Sequence, residues 1–269
     1  MFQFIANIFG YLLEWLYNGI GQNYGIALIL FTIILRIILL PLTIKQQKSM
    51  KKTTALQGKM QEIQFKYKNN PELMNKEIME LYKRENLSPF SGCISSIVQI
   101  LIILSVFYLV SRPLTYMKKI DPGIIENYKN EISAENDGKI SNYYEIEIIQ
   151  KKAVQDENIK VNMDFLGLDL SKVPSQNMSD ATVYIIPLLY VVSSIFSIRM
   201  TTGKTKKKEG SNSSEPDMTQ QMNKSMSYMM PIMAVSIAFV APLGLALYWL
   251  VSNILMILER IVINKYVDS

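Results

Sequence analysis

Apolar residues in this chain gather in unbroken runs instead of alternating at strand or helix-surface spacing. Each run is close to the roughly 20 residues that a helix needs to cross about 30 Å of hydrocarbon. YGIALILFTIILRIILLPLTI lies in residues 23–44, GCISSIVQILIILSVFYLVS in 92–112, and ATVYIIPLLYVVSSIFSI in 181–199. Two more runs, SYMMPIMAVSIAFVAP and LALYWLVSNILMILERIVI, share residues 227–263 and meet through Pro242, Leu243 and Gly244. That spacing predicts a tight helical hairpin. Pro187 and Pro231 fall inside runs, where packed neighbours can satisfy the backbone groups they free. The pattern predicts an all-α polytopic membrane protein with five transmembrane helices.

Between the runs the polar pattern changes character. Residues 1–22 place Phe2, Ile5, Phe9, Leu12 and Leu16 at helical spacing, interrupted by Gln3, Asn7 and Glu14. A basic n-region and a small-residue cleavage site are both missing, which argues against a removable signal peptide. The segment predicts an amphipathic helix in the membrane interface, with Trp15 and Tyr17 as belt residues; an extra inserted span is the competing reading. In residues 45–91, Leu56, Met60, Ile63 and Tyr67 form one helical stripe and Met74, Ile78, Leu81 and Tyr82 a second. Asn70-Pro71-Glu72 between them is a restart signal: a capping side chain, proline at the first helical position, an acid in the first turn. A basic helical hairpin follows, with Lys45, Lys48, Lys51, Lys52, Lys59, Lys66 and Lys68 on its first arm. Residues 200–226 form a linker that is polar from 203 to 217, and 264–269 a short tail. Residues 113–180 suggest a helix near 144–154 and carry no recognisable chemistry.

Charge adds an orientation. Segment 45–91 holds ten Lys and Arg against five acidic residues, and 199–226 holds six against three. Segment 113–180 holds eight against twelve, and residues 1–23 hold none. Basic residues mark cytoplasmic loops, so the amino terminus is expected outside and the carboxy terminus inside. Composition then removes most enzyme classes. The chain has no histidine, which excludes Ser-His-Asp and Cys-His catalysis and HExxH zinc chemistry. Its single cysteine, Cys93, cannot close an internal disulfide and is not placed for amino-terminal lipidation. No cofactor, metal site or nucleic-acid partner is expected.

One residue stands out against the apolar background. Arg36 lies about twelve residues into the first run, where an arginine costs roughly 2.5–3.5 kcal/mol on insertion scales. The runs contain no acid except Glu259, near the cytoplasmic end of the last. By helix depth that residue is out of reach, so water in a cavity is the expected partner of Arg36. Thr32 is one turn earlier on the same face, and Gln99, Trp249 and Asn253 could add polar wall. For each of these three, and for Thr32, helix-to-helix hydrogen bonding is an equal alternative. Snorkelling of Arg36 towards lipid phosphates is a second account of the arginine.

At these residues the sequence resembles the YidC family of membrane protein insertases, related to the mitochondrial and chloroplast insertases. The resemblance rests on LILFTIILRIILLPLTIKQQKSMKK, NNPELMNKEIMELYKREN, LSPFSGC, FLGLDLS, MMPIM and PLGLALYWLVSN, in the family's order. It implies a hydrophilic groove open to cytoplasm and lipid and closed outside, with Arg36 as the groove arginine. Thr32 and Trp249 match its functional threonine and aromatic, and the basic hairpin is implied to receive substrates. The second run departs from the family, having CISSIVQILII where prolines are usual, so Gln99 alone carries over there. A large extracytoplasmic domain, a lipobox cysteine and a long basic tail are not seen. The implied partners are newly made membrane proteins and anionic lipids, with the ribosome and a Sec translocon as further candidates. A small transporter of ions or solutes is the competing function, disfavoured by the lack of a repeat between the two halves.

Overall fold

The structure, a computed structural model, describes residues 2–85, 87, 91–202 and 236–267. The polar linker of 203–217 and residues 227–235 of the fourth run lie outside them. The described chain is dominated by helices: α1 Phe2–Gly19, α2 Tyr24–Ala55, α3 Gln57–Lys66, α4 Pro71–Arg84, α5 Ser91–Ser111, α6 Pro113–Tyr116, α7 Pro122–Glu135, α8 Tyr144–Lys152, α9 Ile185–Thr202 and α10 Leu243–Val267. A short hairpin of β1 Asp164–Phe165 and β2 Leu168–Asp169 sits between α8 and α9. Three helical segments among the described residues are long and apolar enough to cross a membrane: Tyr24–Thr53, Ala181–Met200 and Leu243–Ile263. The apolar part of α5, Ile97–Ser111, is shorter. A helical stretch at 236–240 precedes α10.

The chain divides into two compact units, residues 1–36 with 105–269, and residues 37–104. In the second unit, α2 does not stop at the polar boundary near Lys45 but continues as one helix to Ala55. The break comes at Leu56, which is buried. The restart at Asn70 is as the sequence predicts. The Asn70 side chain accepts from Leu73 N at 3.1 Å with Pro71 in the first helical position, which satisfies one orphan donor of α4. Helices α3 and α4 pack as a hairpin. Lys59 pairs with Glu85 at 3.0 Å, and the Tyr82 hydroxyl reaches Met60 Sδ at 3.7 Å.

In the first unit, residues 113–180 form a folded layer. Ile125, Ile132, Ile146, Ile148, Ile149, Ile159, Val161, Met163 and Leu170 are all buried. The helix expected near 144–154 is α8, which packs on α6 and α7. This layer also terminates the long helices. Tyr24 N donates to Asn162 O at 2.9 Å, and Asn23 donates from Nδ2 to Asp164 O at 2.7 Å. Leu243 N and Gly244 N, the first donors of α10, bond to the carbonyls of Lys172 and Leu170, each at 2.9 Å. A helix leaves its first four N–H groups unpaired, and here a neighbouring loop supplies the acceptors. The β1–β2 turn places Leu166 and Gly167 at φ values of 53° and 78°. Two successive positive φ values are those of a tight hairpin turn that matches strand twist. Glycine adopts them freely, whereas Leu166, 87% exposed, is held there under strain.

Helix α1 docks on this layer through one face, against α6. Its buried residues are Ala6, Gly10, Leu13, Leu16 and Tyr17, whereas Phe4, Ile8, Tyr11 and Trp15 are exposed. Of the stripe Phe2, Ile5, Phe9, Leu12 and Leu16, Leu16 is buried and the other four border the buried face. Trp15 is 69% exposed, whereas Tyr17 is not placed as a belt residue. The Tyr17 side chain is buried, and its hydroxyl accepts from Asn162 N at 2.9 Å. Gly10 decides the docking face, because its backbone lies directly against the carbonyl of Tyr116 in α6.

Glu145, at the start of α8, is fully buried. Its carboxylate accepts from Thr115 N at 2.9 Å and from Thr115 Oγ1 at 2.6 Å. Burial pushes its pKa up, an effect that the bonds from Thr115 and the charge of Arg112 oppose only in part. The folded state therefore binds this proton more tightly than the unfolded chain does. Its contribution to stability falls as pH rises from the ordinary carboxylate value through the raised one, and is flat above. Glu145→Gln is expected to remove that slope in thermal melts across acidic pH while preserving the fold. Glu145→Ala strands the Thr115 N–H and should cost roughly 1–3 kcal/mol at any pH. Identical pH slopes for wild type and Glu145→Gln would remove Glu145 as the source.

Candidate functional site

Arg36 sits in the first unit at the middle of α2, flanked on the apolar side by buried Leu35. Its guanidinium is not left to water. Nη2 donates to the Ser252 carbonyl of α10 at 3.0 Å, and Nη1 lies 3.6 Å from Glu259 Oε2. This corrects the expectation that no acid reaches Arg36. Depth along parallel helices explains the miss. Arg36 follows Tyr24 by twelve residues and Glu259 follows Leu243 by sixteen, a difference of about 6 Å along the axis. In parallel helices both Cα–Cβ bonds tilt towards the amino terminus and the effect cancels, which leaves the offset to the reach of the side chains. The long arginine stem supplies that reach. Counting residues alone ignores it.

The contact is partial in two respects. The side chain of Arg36 keeps 23% of its surface accessible and that of Glu259 keeps 11%. The 3.6 Å separation is also longer than the roughly 2.7–2.9 Å of a charge-assisted hydrogen bond. Glu259 Oε2 is buried and makes no hydrogen bond. A cation and an anion thus neutralise each other at mid-helix while each retains unused hydrogen-bonding capacity.

The other residues singled out in the sequence separate in space. Thr32 is completely buried, and its hydroxyl donates to Leu28 O of its own helix at 2.6 Å. Asn253 faces α9, donating from Nδ2 to Ser193 Oγ at 2.8 Å and to Ser194 Oγ at 3.3 Å. Such bonds between membrane helices contribute on the order of 0.6–2 kcal/mol. Trp249, one turn earlier, stacks obliquely on Tyr190 of α9 with ring centres 6.5 Å apart. Helix α10 therefore carries two working faces: Trp249 and Asn253 towards α9, and Ser252 and Glu259 towards Arg36. Between α9 and α10 an apolar hollow of about 380 Å³ is lined by Leu189, Val192, Phe196, Leu250, Ile254 and Ile257 with Ser193. Ser252 and Glu259 are the participants that sequence reasoning missed; Ser252 takes part through its main-chain carbonyl, which leaves no sequence signal, and Glu259 was visible only as the one acid within the runs.

Gln99 belongs to the other unit, where it is exposed and donates to Gln46 Oε1 at 3.0 Å. The basic hairpin presents Lys45, Lys48, Lys52, Lys59, Lys66 and Lys68 to solvent, with Lys51 half-buried. Lys66 lies over the Tyr67 ring at 5.1 Å. Among the described residues no cluster of His, Cys, Asp and Glu could hold a metal ion.

Long apolar helices and a charge pair set between them define an α-helical, multi-pass membrane protein. The sequence profile described as 60Kd inner membrane protein matches residues 15–269. The chain therefore belongs to the 60Kd inner membrane protein family. It is 28% identical over 261 residues to the membrane protein insertase YidC of Treponema denticola, a match covering 97% of this chain and 37% of that protein. The membrane protein insertase YidC of Oceanobacillus iheyensis is 28% identical over 266 residues, covering 96% of this chain and 82% of that protein. Thus the chain spans little more than a third of the first relative and most of the second. A crystal structure of an active YidC insertase with its first transmembrane domain resolved superposes with a TM-score of 0.54 at 20% identity. It covers 96% of this chain and 46% of that one, and it supports the fold.

Proposed function

We propose that this chain is a membrane protein insertase and chaperone, which receives hydrophobic clients from the cytoplasm beside Arg36 and releases their spans into lipid. The observation that carries the reading is a partly accessible guanidinium twelve residues into an apolar helix long enough to cross a membrane, held by one carbonyl and one loosely paired carboxylate. A cation at that depth lowers the barrier for an acidic or polar segment in transit, because charge is far more expensive to carry unaided through hydrocarbon. The client's own apolar span supplies the driving force when it partitions into lipid. No bond is made or broken and no nucleotide is consumed, so the protein acts without being an enzyme.

The full arrangement is five membrane-spanning helices, with the amino terminus outside and the carboxy terminus in the cytoplasm. Helix α1 lies in the outer interface, its exposed Phe4, Ile8, Tyr11 and Trp15 meeting lipid. The lysines of the hairpin at 45–91 face anionic headgroups and incoming clients, with the ribosome and a Sec translocon as further partners. Thr32, Trp249 and Asn253 complete the path near Arg36, either by touching the client or by holding the helices that do, and Gln99 contributes from the other unit as a polar residue of its own span.

Reconstitution tests this directly. Purified protein in liposomes should generate a protease-protected fragment from a single-span client with a short acidic tail, well above empty liposomes. If the protein instead conducts ions or small solutes at substantial rates and protects no client, the transporter reading replaces this one.

A further inference from the structure

We propose that Glu259 is a built-in competitor for Arg36. It occupies the guanidinium when no client is present, and an acidic client segment binds by displacing it. The inference rests on the insertase reading above and adds to it the way the cation is kept ready.

Three observations support it. Arg36 and Glu259 neutralise each other across two helices, at a separation too long for a hydrogen bond. Glu259 Oε2 is shielded from solvent yet has no hydrogen-bond donor, so the contact supplies charge compensation without a geometric lock. The guanidinium is separately anchored at the Ser252 carbonyl, so it keeps its position when the carboxylate leaves. A pair built for rigidity would be bidentate and fully hydrogen-bonded. An unpaired cation at this depth would bear the full insertion cost. A loosely held internal anion offsets that cost and can still be displaced by a carboxylate with better geometry. The chemistry so defined favours clients whose translocated segment carries Asp or Glu.

The experiment compares two single-span clients, identical except for an acidic or a neutral tail, in liposomes containing wild type, Glu259→Gln, Arg36→Gln or both substitutions. Gln keeps the size and polarity of Glu259 and removes its charge. The ratio of acidic-tail to neutral-tail insertion should rise about two- to fivefold in Glu259→Gln, since a weak ion pair no longer has to be broken. That rise should vanish in the Arg36→Gln background, because the carboxylate acts only through the arginine. Glu259→Asp, one methylene shorter, should shift the ratio in the same direction by less, and it carries the comparison if Glu259→Gln does not fold. An unchanged or lowered ratio in the folded variants overturns the proposal, as does a rise that persists without Arg36. Wild type inserting neither client would bring down the insertase reading itself, an outcome distinct from an unchanged ratio.

Discussion

Arg36→Ala is expected to lower insertion of an acid-tailed client by roughly ten- to a hundredfold, the equivalent of one or two charge-assisted hydrogen bonds. The substitution does more than remove a cation. It leaves Glu259 buried beside α2 with no counter-charge, and breaking one side of a buried pair costs up to about 3–5 kcal/mol. The actual cost should fall below that range, because the pair is partly accessible and separated by 3.6 Å. Some loss of function in Arg36→Ala will therefore be loss of folded protein. Arg36→Ala with Glu259→Gln separates the two causes, since the double variant no longer strands a carboxylate. It should melt closer to wild type than Arg36→Ala does and still insert poorly. If the double variant regained insertion along with stability, the arginine would be a structural partner of Glu259 and nothing more.

The largest purely structural effect should come from Gly10→Ala. A Cβ at Gly10 would stand 1.9 Å from the carbonyl oxygen of Tyr116 and 2.7 Å from its carbonyl carbon. Both atoms are backbone, so no rotamer change can relieve the clash. Helix α1 must move away from α6, which loosens the contacts of Ala6, Leu13 and Leu16 and strains the bond between Tyr17 and Asn162. Overpacking of this kind costs about 1–3 kcal/mol, and a backbone obstruction belongs at the upper end. The melting temperature in detergent should drop by about 5–10 °C, with earlier protease cleavage after the first helix. Gly19→Ala is the control, because a Cβ there meets nothing within 4 Å. Equal melting of the two variants would mean that α1 is not docked through Gly10.

The same two sites explain what could be read in the sequence. Runs of apolar residues located α2, α9 and α10 because bilayer thickness imposes a length that composition reports directly. Asn70-Pro71 located α4 because a cap is a local event among adjacent residues. The docking face of α1 was not legible because apolar residues also occupy its exposed side, at Phe4, Ile8, Tyr11 and Trp15. What selects Gly10 for the interior is the close approach of a neighbouring backbone, and a hydrophobic pattern cannot encode that. The partner of Arg36 was missed for a related reason. Depth was counted along Cα positions, whereas the contact is made by side-chain ends two bonds or more away. The neighbours of Asn253 and Trp249 on α9 depend on helix packing, which no single run reveals. The capping of α2 and α10 by residues 162–172 had no local signature, since its acceptors are main-chain carbonyls.

Those caps have a mechanical consequence. Helices α2 and α10 begin at main-chain bonds to the same short stretch of loop, at Asn162 for one and at Leu170 and Lys172 for the other. Any rearrangement that keeps these bonds makes the two helices swing from a shared apex, as the legs of a pair of dividers do. Displacement then grows with distance from the apex. A swing of about 10° would move Arg36, some 18 Å along its leg, by roughly 3 Å. Small angular changes are thus magnified towards the far end, while side chains beside Tyr24 and Gly244 hardly stir. Because the apex is tied by peptide groups, side-chain replacement in the loop leaves the joint intact, and an insertion or deletion between 162 and 172 would disable it.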